Sequence, residues 1–286
     1  MSVGAKPGNL PITIRELTTF EEYDECIAIQ KEAWGDEFEE WVPTSVLKVS
    51  QKIGGIVAGA YDERQRMLGF VYGLSGVKDG KPVHWSHMLA VRNDARGLGL
   101  GKKLKFYQRD LLLQRGIDVV YWTFDPLVAR NANLNFNGLG AQAAEYVKDM
   151  YKESSSILHR GVSMDRFVVE WRLESDRVKK ALSNQPSFKS DRYAQAPVVN
   201  TQQQGTNTVK PVELPLPLER VIRVEIPFDI DAMKANSMAL AAEWRANTRR
   251  VFLWYQEHRY TIDGFYIDRS TQRCYYCLTQ EHESHT

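Results

Sequence analysis

Trp85–Gly116 reads WSHMLAVRNDARGLGLGKKLKFYQRDLLLQRG, and the fold turns on how this stretch divides. Trp85 to Val91 is short, apolar and bounded by polar turn residues, the pattern of a buried strand. Asn93 to Gly101 then carries glycine at alternate positions, Gly97, Gly99 and Gly101. Lacking a Cβ, these residues let backbone N–H groups come close to a ligand. From Leu100 the apolar residues recur at Leu104, Tyr107 and Leu111, one face of a helix. The loop therefore delivers its N–H groups to a helix N-terminus, where aligned peptide dipoles favour an anion such as a pyrophosphate. Lys102, Lys103 and Lys105 follow in the first turns. Cations there oppose the dipole by about 0.3–1 kcal/mol each, a sign that a bound polyphosphate would reverse. The alternative is three solvated lysines on the polar face.

Two uses of the glycines compete. A dinucleotide-binding turn needs G-x-G-x-x-G. Counted from Gly97, the third glycine would fall at Lys102, so the spacing fails by one residue. The loop instead reads Arg96-x-x-Gly99-x-Gly101. This resembles the R/Q-x-x-G-x-G/A signature of the Gcn5-related N-acetyltransferase (GNAT) superfamily, whose loop cradles the pyrophosphate of coenzyme A. The resemblance spans Ile12 to Ser175. It is closest to a bacterial and archaeal group of predicted acetyltransferases with the features SHMLAV, WTFDPL and DRFVVEW, which occur here in order from Ser86, Trp122 and Asp165. It implies an α/β (α+β) GNAT acyl-CoA N-acyltransferase fold, a mixed central sheet flanked by helices. It also implies acetyl-CoA or another acyl-CoA as co-substrate, and no metal. By the same resemblance, backbone at Leu89, Ala90 and Val91 would hold the thioester and pantetheine. Arg96, Gly97, Leu98, Gly99, Leu100, Gly101 and Lys102 would hold the pyrophosphate. Asn131 and Phe136 would lie in a helix that flanks the pantetheine arm.

The 286 residues exceed one typical domain. With 43% hydrophobic and 26% charged residues, the composition is that of a globular protein. A net charge of +1 gives no global bias toward nucleic acid or acidic membrane, and neither is expected as a partner. Three cysteines, an odd number, argue against a disulfide framework and suit a reducing cytoplasm. The N-terminal MSVGAKPGNLPITIRE has no apolar h-region, so no signal peptide is expected. No apolar run approaches the roughly 18 residues of a membrane span.

Outward from the central stretch, Ile12 to Leu17 alternates as a half-buried strand. Thr18 or Thr19 caps a helix that carries Tyr23, Ile27 and Trp34 and stops near Gly35. Pro43 and Thr44 open a second helix, ended by Gly54 and Gly55. Ile56–Tyr61 and Met67–Leu74 form a hairpin, and Lys78–Lys81 turns into the strand holding His87. Beyond Gly116, Ile117–Phe124 is an apolar strand. Asp125 and Pro126 then read as N-cap and first residue of a helix running to Leu139. Strands follow near Glu145–Tyr151 and Arg166–Leu173. These define a GNAT domain over residues 1–182. Residues 183–218 are polar and proline-bearing, a linker or extended strap. Residues 219–286 form a small β-α-β-β unit: a strand at Val221–Ile226, one long helix from Met233 past Val251, and a hairpin of Tyr260–Ile267 with Arg273–Leu278. So small a unit is expected to pack on the first domain or on a partner subunit, which fits a homodimer.

Acyl transfer to an amine needs a neutral amine, an oxyanion donor and a proton for the leaving thiolate. Histidine is the natural base near neutral pH. His87 shares the strand parity of Leu89 and Val91, and its HMLAV resembles an HALAV strand of the superfamily whose histidine helps deprotonate the amine. The second histidine of that pair would fall at Trp85. Ser86, of opposite parity, and His84, at the strand's edge, are weaker candidates. The superfamily often places a tyrosine acid where Phe136 stands, so the acid would be Tyr107, Tyr121, Tyr146 or water. Asp125 could bind an ammonium group, although capping explains it better. Arg130 and Asn131 could reach an anion or simply form a polar helix face. Trp122 and Phe124 read as core. Cys274-x-x-Cys277 sits on an aromatic strand with thiols on opposite faces, which fits structural cysteines, and His282 and His285 lie in the tail. Arg245, Arg249 and Arg250 read as a solvated or inter-domain helix face rather than a nucleic-acid surface.

The expected function is a CoA-dependent N-acyltransferase that moves an acetyl group, or a succinyl group, to a small-molecule amine such as an amino acid, by direct attack in a ternary complex. The alternative is a non-catalytic acyl-CoA-binding or regulatory protein of the same fold.

Overall fold

In a computed structural model of the chain, residues 11–151, 163–186, 188–204 and 208–280 are described. The readings made on the N-terminal ten residues and on His282 and His285 lie outside them. The chain is mixed α/β, with helices flanking its sheets, and it divides into two compact units, Met1–Val120 and Tyr121–Thr286.

The first unit holds strands β1 (Thr13–Glu16), β2 (Ile56–Tyr61), β3 (Met67–Lys78) and β4 (Lys81–Val91), paired antiparallel in that order. Helix α1 (Phe20–Trp34) begins where the sequence placed it. Thr19 Oγ1 accepts from the Glu22 N–H, and the Glu22 carboxylate accepts from the Thr19 N–H at 3.2 Å, a complete capping box. Helix α2 (Thr44–Lys52) follows Pro43. Tyr23, Cys26 and Ile29 of α1 and Leu47 of α2 pack with Phe70, Tyr72, Met88 and Ala90 in one apolar cluster. Helix α3 (Leu100–Gln114) brings Leu104 and Leu112 to the sheet, both fully buried. Gly73 is needed for closeness rather than for φ, since a Cβ there would collide with the His84 imidazole.

The second unit includes the end of β5 (Val119–Phe124), with β6 (Gln142–Val147) and β7 (Arg166–Arg172) in the order β5-β7-β6. Strand β6 ends four residues short of the expected Tyr151. The helix expected after Asp125 is only α4 (Ala129–Ala132), continued as a π-turn over Asn133–Gly138. Asp125 does not cap it: the N-cap is Val128, and the Asp125 carboxylate accepts instead from the Leu127 N–H at 2.8 Å in a turn. Trp122 and Phe124 are core, as expected, Trp122 meeting Trp171 edge-on at 5.8 Å.

Helix α5 (Asp176–Leu182) leads into the stretch read as a strap. That stretch is packed. Tyr193 is wholly buried and its hydroxyl meets Asp263 at 2.7 Å, and a hairpin of β8 (Thr201–Gln204) and β9 (Thr208–Pro211) follows. A second sheet runs β10-β12-β11, from β10 (Val221–Ile226), β11 (Tyr260–Asp268) and β12 (Arg273–Gln280). The single long helix expected here is two, α6 (Ile230–Asn236) and α7 (Met238–Glu257). Ser237, in extended conformation, breaks the run and caps α7 through its hydroxyl to the Leu240 N–H. Cys274 and Cys277 are buried free thiols, their pKa values pushed up by burial.

Candidate functional site

Strand β4 carries an irregularity that the sequence does not announce. Its partners on β3 run Tyr72 to Met88 and then Gly73 to Ser86, so His87 is the extra residue of a β-bulge. A bulge leaves one residue out of the ladder and re-aims the side chains around it. The expected parity fails for this reason. His87 does not alternate with Met88: its imidazole stands edge-on to Tyr72 at 5.8 Å, and Met88 packs in the same cluster as Tyr72. His87 keeps exposed surface. Crowding by neighbouring atoms lowers its pKa, against a smaller opposing pull from Glu40. Tyr72 is a residue that sequence reasoning missed, because nothing local marks it. Its hydroxyl lies 3.0 Å from Ser50 Oγ, which donates to the Val46 carbonyl at 2.7 Å.

The glycine loop follows six residues beyond Val91 on the same chain segment. Gly97 (φ 86°) and Gly99 (φ 72°) are left-handed, and no atom of the described residues lies within 4 Å of where a Cβ would stand on either. Gly99 is the N-cap of α3 and offers no side-chain cap, and no acidic residue occupies the first turn. The first N–H groups of a helix have no partner within it. Here they follow a loop in which neither Gly97 nor Gly99 carries a side chain, and such a cradle fits a phosphate group. Arg96 is exposed, and Lys102 stacks over Phe106 at 5.5 Å.

Lys105 departs from both readings offered for it. It is buried, and its ammonium donates to Ser86 Oγ at 2.8 Å and lies 3.4 Å from Gln108 Oε1. Desolvation pushes its pKa well down. Ser86 donates to Gln108 Oε1 at 3.0 Å, and the Gln108 amide nitrogen is 3.0 Å from His84 Nε2. That places the His84 proton on Nδ1, 3.1 Å from Ser75 Oγ, whose own proton goes to the Gly54 carbonyl. His84 is therefore not at a strand edge but sealed in a polar network, where burial lowers its pKa to about 3. His84 and Ser86 serve to tie β4 to α3.

The remaining candidates belong to the second unit. Phe136 is wholly buried, edge-on to Phe124 and Tyr276, and offers no surface to a ligand. Asn131 is partly exposed on α4. Arg130 pairs with Asp231 at 2.8 Å. Tyr121 and Tyr146 are spent on carboxylates, Glu170 at 3.0 Å and Asp165 at 2.5 Å. The arginines of α7 are not a solvated face. Arg245 is buried against Asp125 at 2.6 Å, Arg249 pairs with Asp165 and Asp149, and Arg250 donates to the Leu214 carbonyl. Among the described residues no group of His, Cys, Asp and Glu could hold a metal ion, and no helix is long and apolar enough to cross a membrane.

No protein-family model matches the chain, and no curated protein does. Similarity is found among solved structures. The NatC complex bound to Gag peptide and CoA is 17% identical over 56% of this chain and 98% of that one, with a TM-score of 0.45. The yncA protein of Salmonella typhimurium with its cofactor acetyl-CoA is 18% identical over 58% and 95%, at a TM-score of 0.43. The GNAT family N-acetyltransferase YhbS of Escherichia coli in complex with CoA is 17% identical over 61% and 88%, at 0.39.

Proposed function

We propose that the chain is a CoA-dependent N-acyltransferase, with residues 1–182 carrying the acyl-transfer function. The observation that supports this most is the uncapped N-terminus of α3 entered through left-handed Gly97 and Gly99. Its N–H groups and dipole suit the pyrophosphate of an acyl-CoA, with Arg96 and Lys102 adding charge. Backbone of Leu89, Ala90 and Val91 would hold the pantetheine, and the bulge next to them supplies ladder-free backbone to polarise the thioester carbonyl.

His87 then acts as base. A lowered pKa keeps its imidazole neutral at neutral pH, ready to take a proton from an ammonium. The freed amine attacks the thioester carbon, the C–S bond breaks, and the thiolate leaves with a proton from water or the imidazolium. The acceptor is taken to be a small-molecule amine, and the donor acetyl-CoA or succinyl-CoA. A second reading, binding of acyl-CoA without turnover, is favoured by the spent hydroxyls of Tyr121 and Tyr146 and by phenylalanine at position 136.

Thermal unfolding with CoA, acetyl-CoA, succinyl-CoA and NADH in parallel tests the reading, since a ligand of the native state raises the midpoint with RT ln(1 + [L]/Kd). A shift with the CoA species alone is expected. A shift with NADH alone would return the loop to the dinucleotide class. CoA release over a panel of amines separates enzyme from sensor.

A further inference from the structure

The side chain beside His87 is itself fixed by a different element. The ladder of β3 with β4 slips between Tyr72 and Gly73, which leaves His87 unpaired. Gly73 makes room for the slip. A Cβ on it would collide with the His84 imidazole and stand 2.6 Å from the Trp85 carbonyl oxygen, so β4 lies closer to β3 here than a larger residue would allow. The bulge sets where His87 leaves the strand, but an unpaired residue takes no orientation from the ladder.

Tyr72 supplies that orientation. It is buried, and its ring meets the His87 imidazole at an interplanar angle of 88°. Phe70, Met88 and Leu47 pack in the same cluster. The hydroxyl at the far end of the ring is tied to α2. Ser50 gives its proton to the Val46 carbonyl, so Tyr72 is the donor in the 3.0 Å contact between the two hydroxyls. Burial raises the Tyr72 pKa, which keeps that proton in place. A ring packed along its body and hydrogen-bonded at its tip does not swing, and it closes one side of the imidazole. His87 keeps exposed surface for an acceptor. Among the described residues, the charge whose pull reaches His87 is that of Glu40, on the loop between α1 and α2, and it is the weaker influence beside crowding.

We propose that Tyr72 is a positioning residue for acyl transfer: its ring sets the direction in which the His87 imidazole faces the acceptor amine, and Ser50 anchors the ring. This rests on His87 as the base. Tyr72 touches neither the amine nor the acyl-CoA and moves no proton.

Two readouts separate this role from plain packing. In NMR, the His87 imidazole is titrated in the full chain without CoA, its resonance identified by its loss in His87→Gln. In kinetics, kcat and KM are followed across pH with acetyl-CoA and the amine of highest turnover in the panel. In Tyr72→Leu water reaches the imidazole. The His87 titration and the acid limb of kcat/KM should both move up toward the ordinary histidine value, and kcat should fall about tenfold while CoA affinity is kept. Tyr72→Phe retains the ring, so it should restore the limb and most of kcat. Tyr72→Phe and Ser50→Ala should each lower kcat by about threefold, and the double variant no further, since both cut the same hydrogen bond. This cycle keeps an aromatic ring at position 72 and decides the question if Tyr72→Leu does not fold. The role is overturned if the His87 titration stays in place in Tyr72→Leu, or if the two losses in the cycle simply add. Absence of transfer to any amine by the wild type would overturn the acyl-transfer reading and this role with it, whereas transfer with an unmoved titration overturns the role alone.

Discussion

His84 and His87 stand three residues apart on β4 in opposite circumstances, and both make predictions about pH. His84 is sealed between Ser75 and Gln108, with a pKa of about 3 against 6.5 for a free imidazole. Above pH 6.5 neither the folded nor the unfolded chain protonates it. Between 6.5 and 3 only the unfolded chain does, so stability must fall as pH drops through that window, by up to about 1.4 kcal/mol per pH unit. His84→Gln should flatten the fall, read by urea unfolding at several pH values, and an unchanged slope would remove His84 as its source. His87 instead keeps exposed surface. The rate profile in kcat/KM should show an acid limb centred below the ordinary histidine value, because its pKa is lowered. His87→Ala should lose most turnover, on the order of 10²–10⁴-fold, and the limb with it, while CoA still binds. Turnover equal to wild type at neutral pH would exclude His87 as the base.

At the scale of elements, helix starts carry the sharpest tests. Thr19→Ala removes one side of the α1 capping box and should cost about 1 kcal/mol in thermal or urea unfolding. Gly99 and Gly101 separate backbone strain from helix propensity. Gly99 is left-handed, so Gly99→Ala should cost about 1–2 kcal/mol and weaken CoA binding. Gly101 lies inside α3, so Gly101→Ala should be neutral or slightly stabilising. Equal losses from the two would show that the left-handed turn is not what the ligand needs. The hydrophobic periods, the capping threonine and the glycine stops were all legible along the chain, because each acts over a few residues. The break at Ser237 was not: the apolar positions on either side keep one helical stripe, and a single serine carries no compulsory stop.

At the scale of the molecule, the buried ion pairs of the second unit bind segments far apart in sequence. Asp125 and Arg245 are the main example. Asp125→Asn would leave Arg245 and Arg166 buried without their counter-charge, and a loss of about 3–5 kcal/mol is expected. Arg249→Gln breaks a pair that is partly exposed at Arg249 and should cost less in the same unfolding experiment. Equal costs would mean that burial of the Asp125 pair does not set its strength.

What the sequence determined by itself was local. Alternation placed β1 and short apolar runs between turn residues placed the inner strands, Thr19 and Gly35 bounded α1, and the spacing Arg96-x-x-Gly99-x-Gly101 separated this loop from a dinucleotide turn. These follow from backbone sterics and from contacts within a few residues. Tertiary structure decided the rest. The register of β4 against β3 made His87 a bulge and turned it toward Tyr72. The approach of α3 to β4 took Lys105 out of solvent and into hydrogen bonds with Ser86. The meeting of α7 with the end of β5 made Asp125 an ion-pair partner instead of a helix cap. In each case a short side-chain preference was outweighed by a partner distant in sequence, which no local pattern encodes.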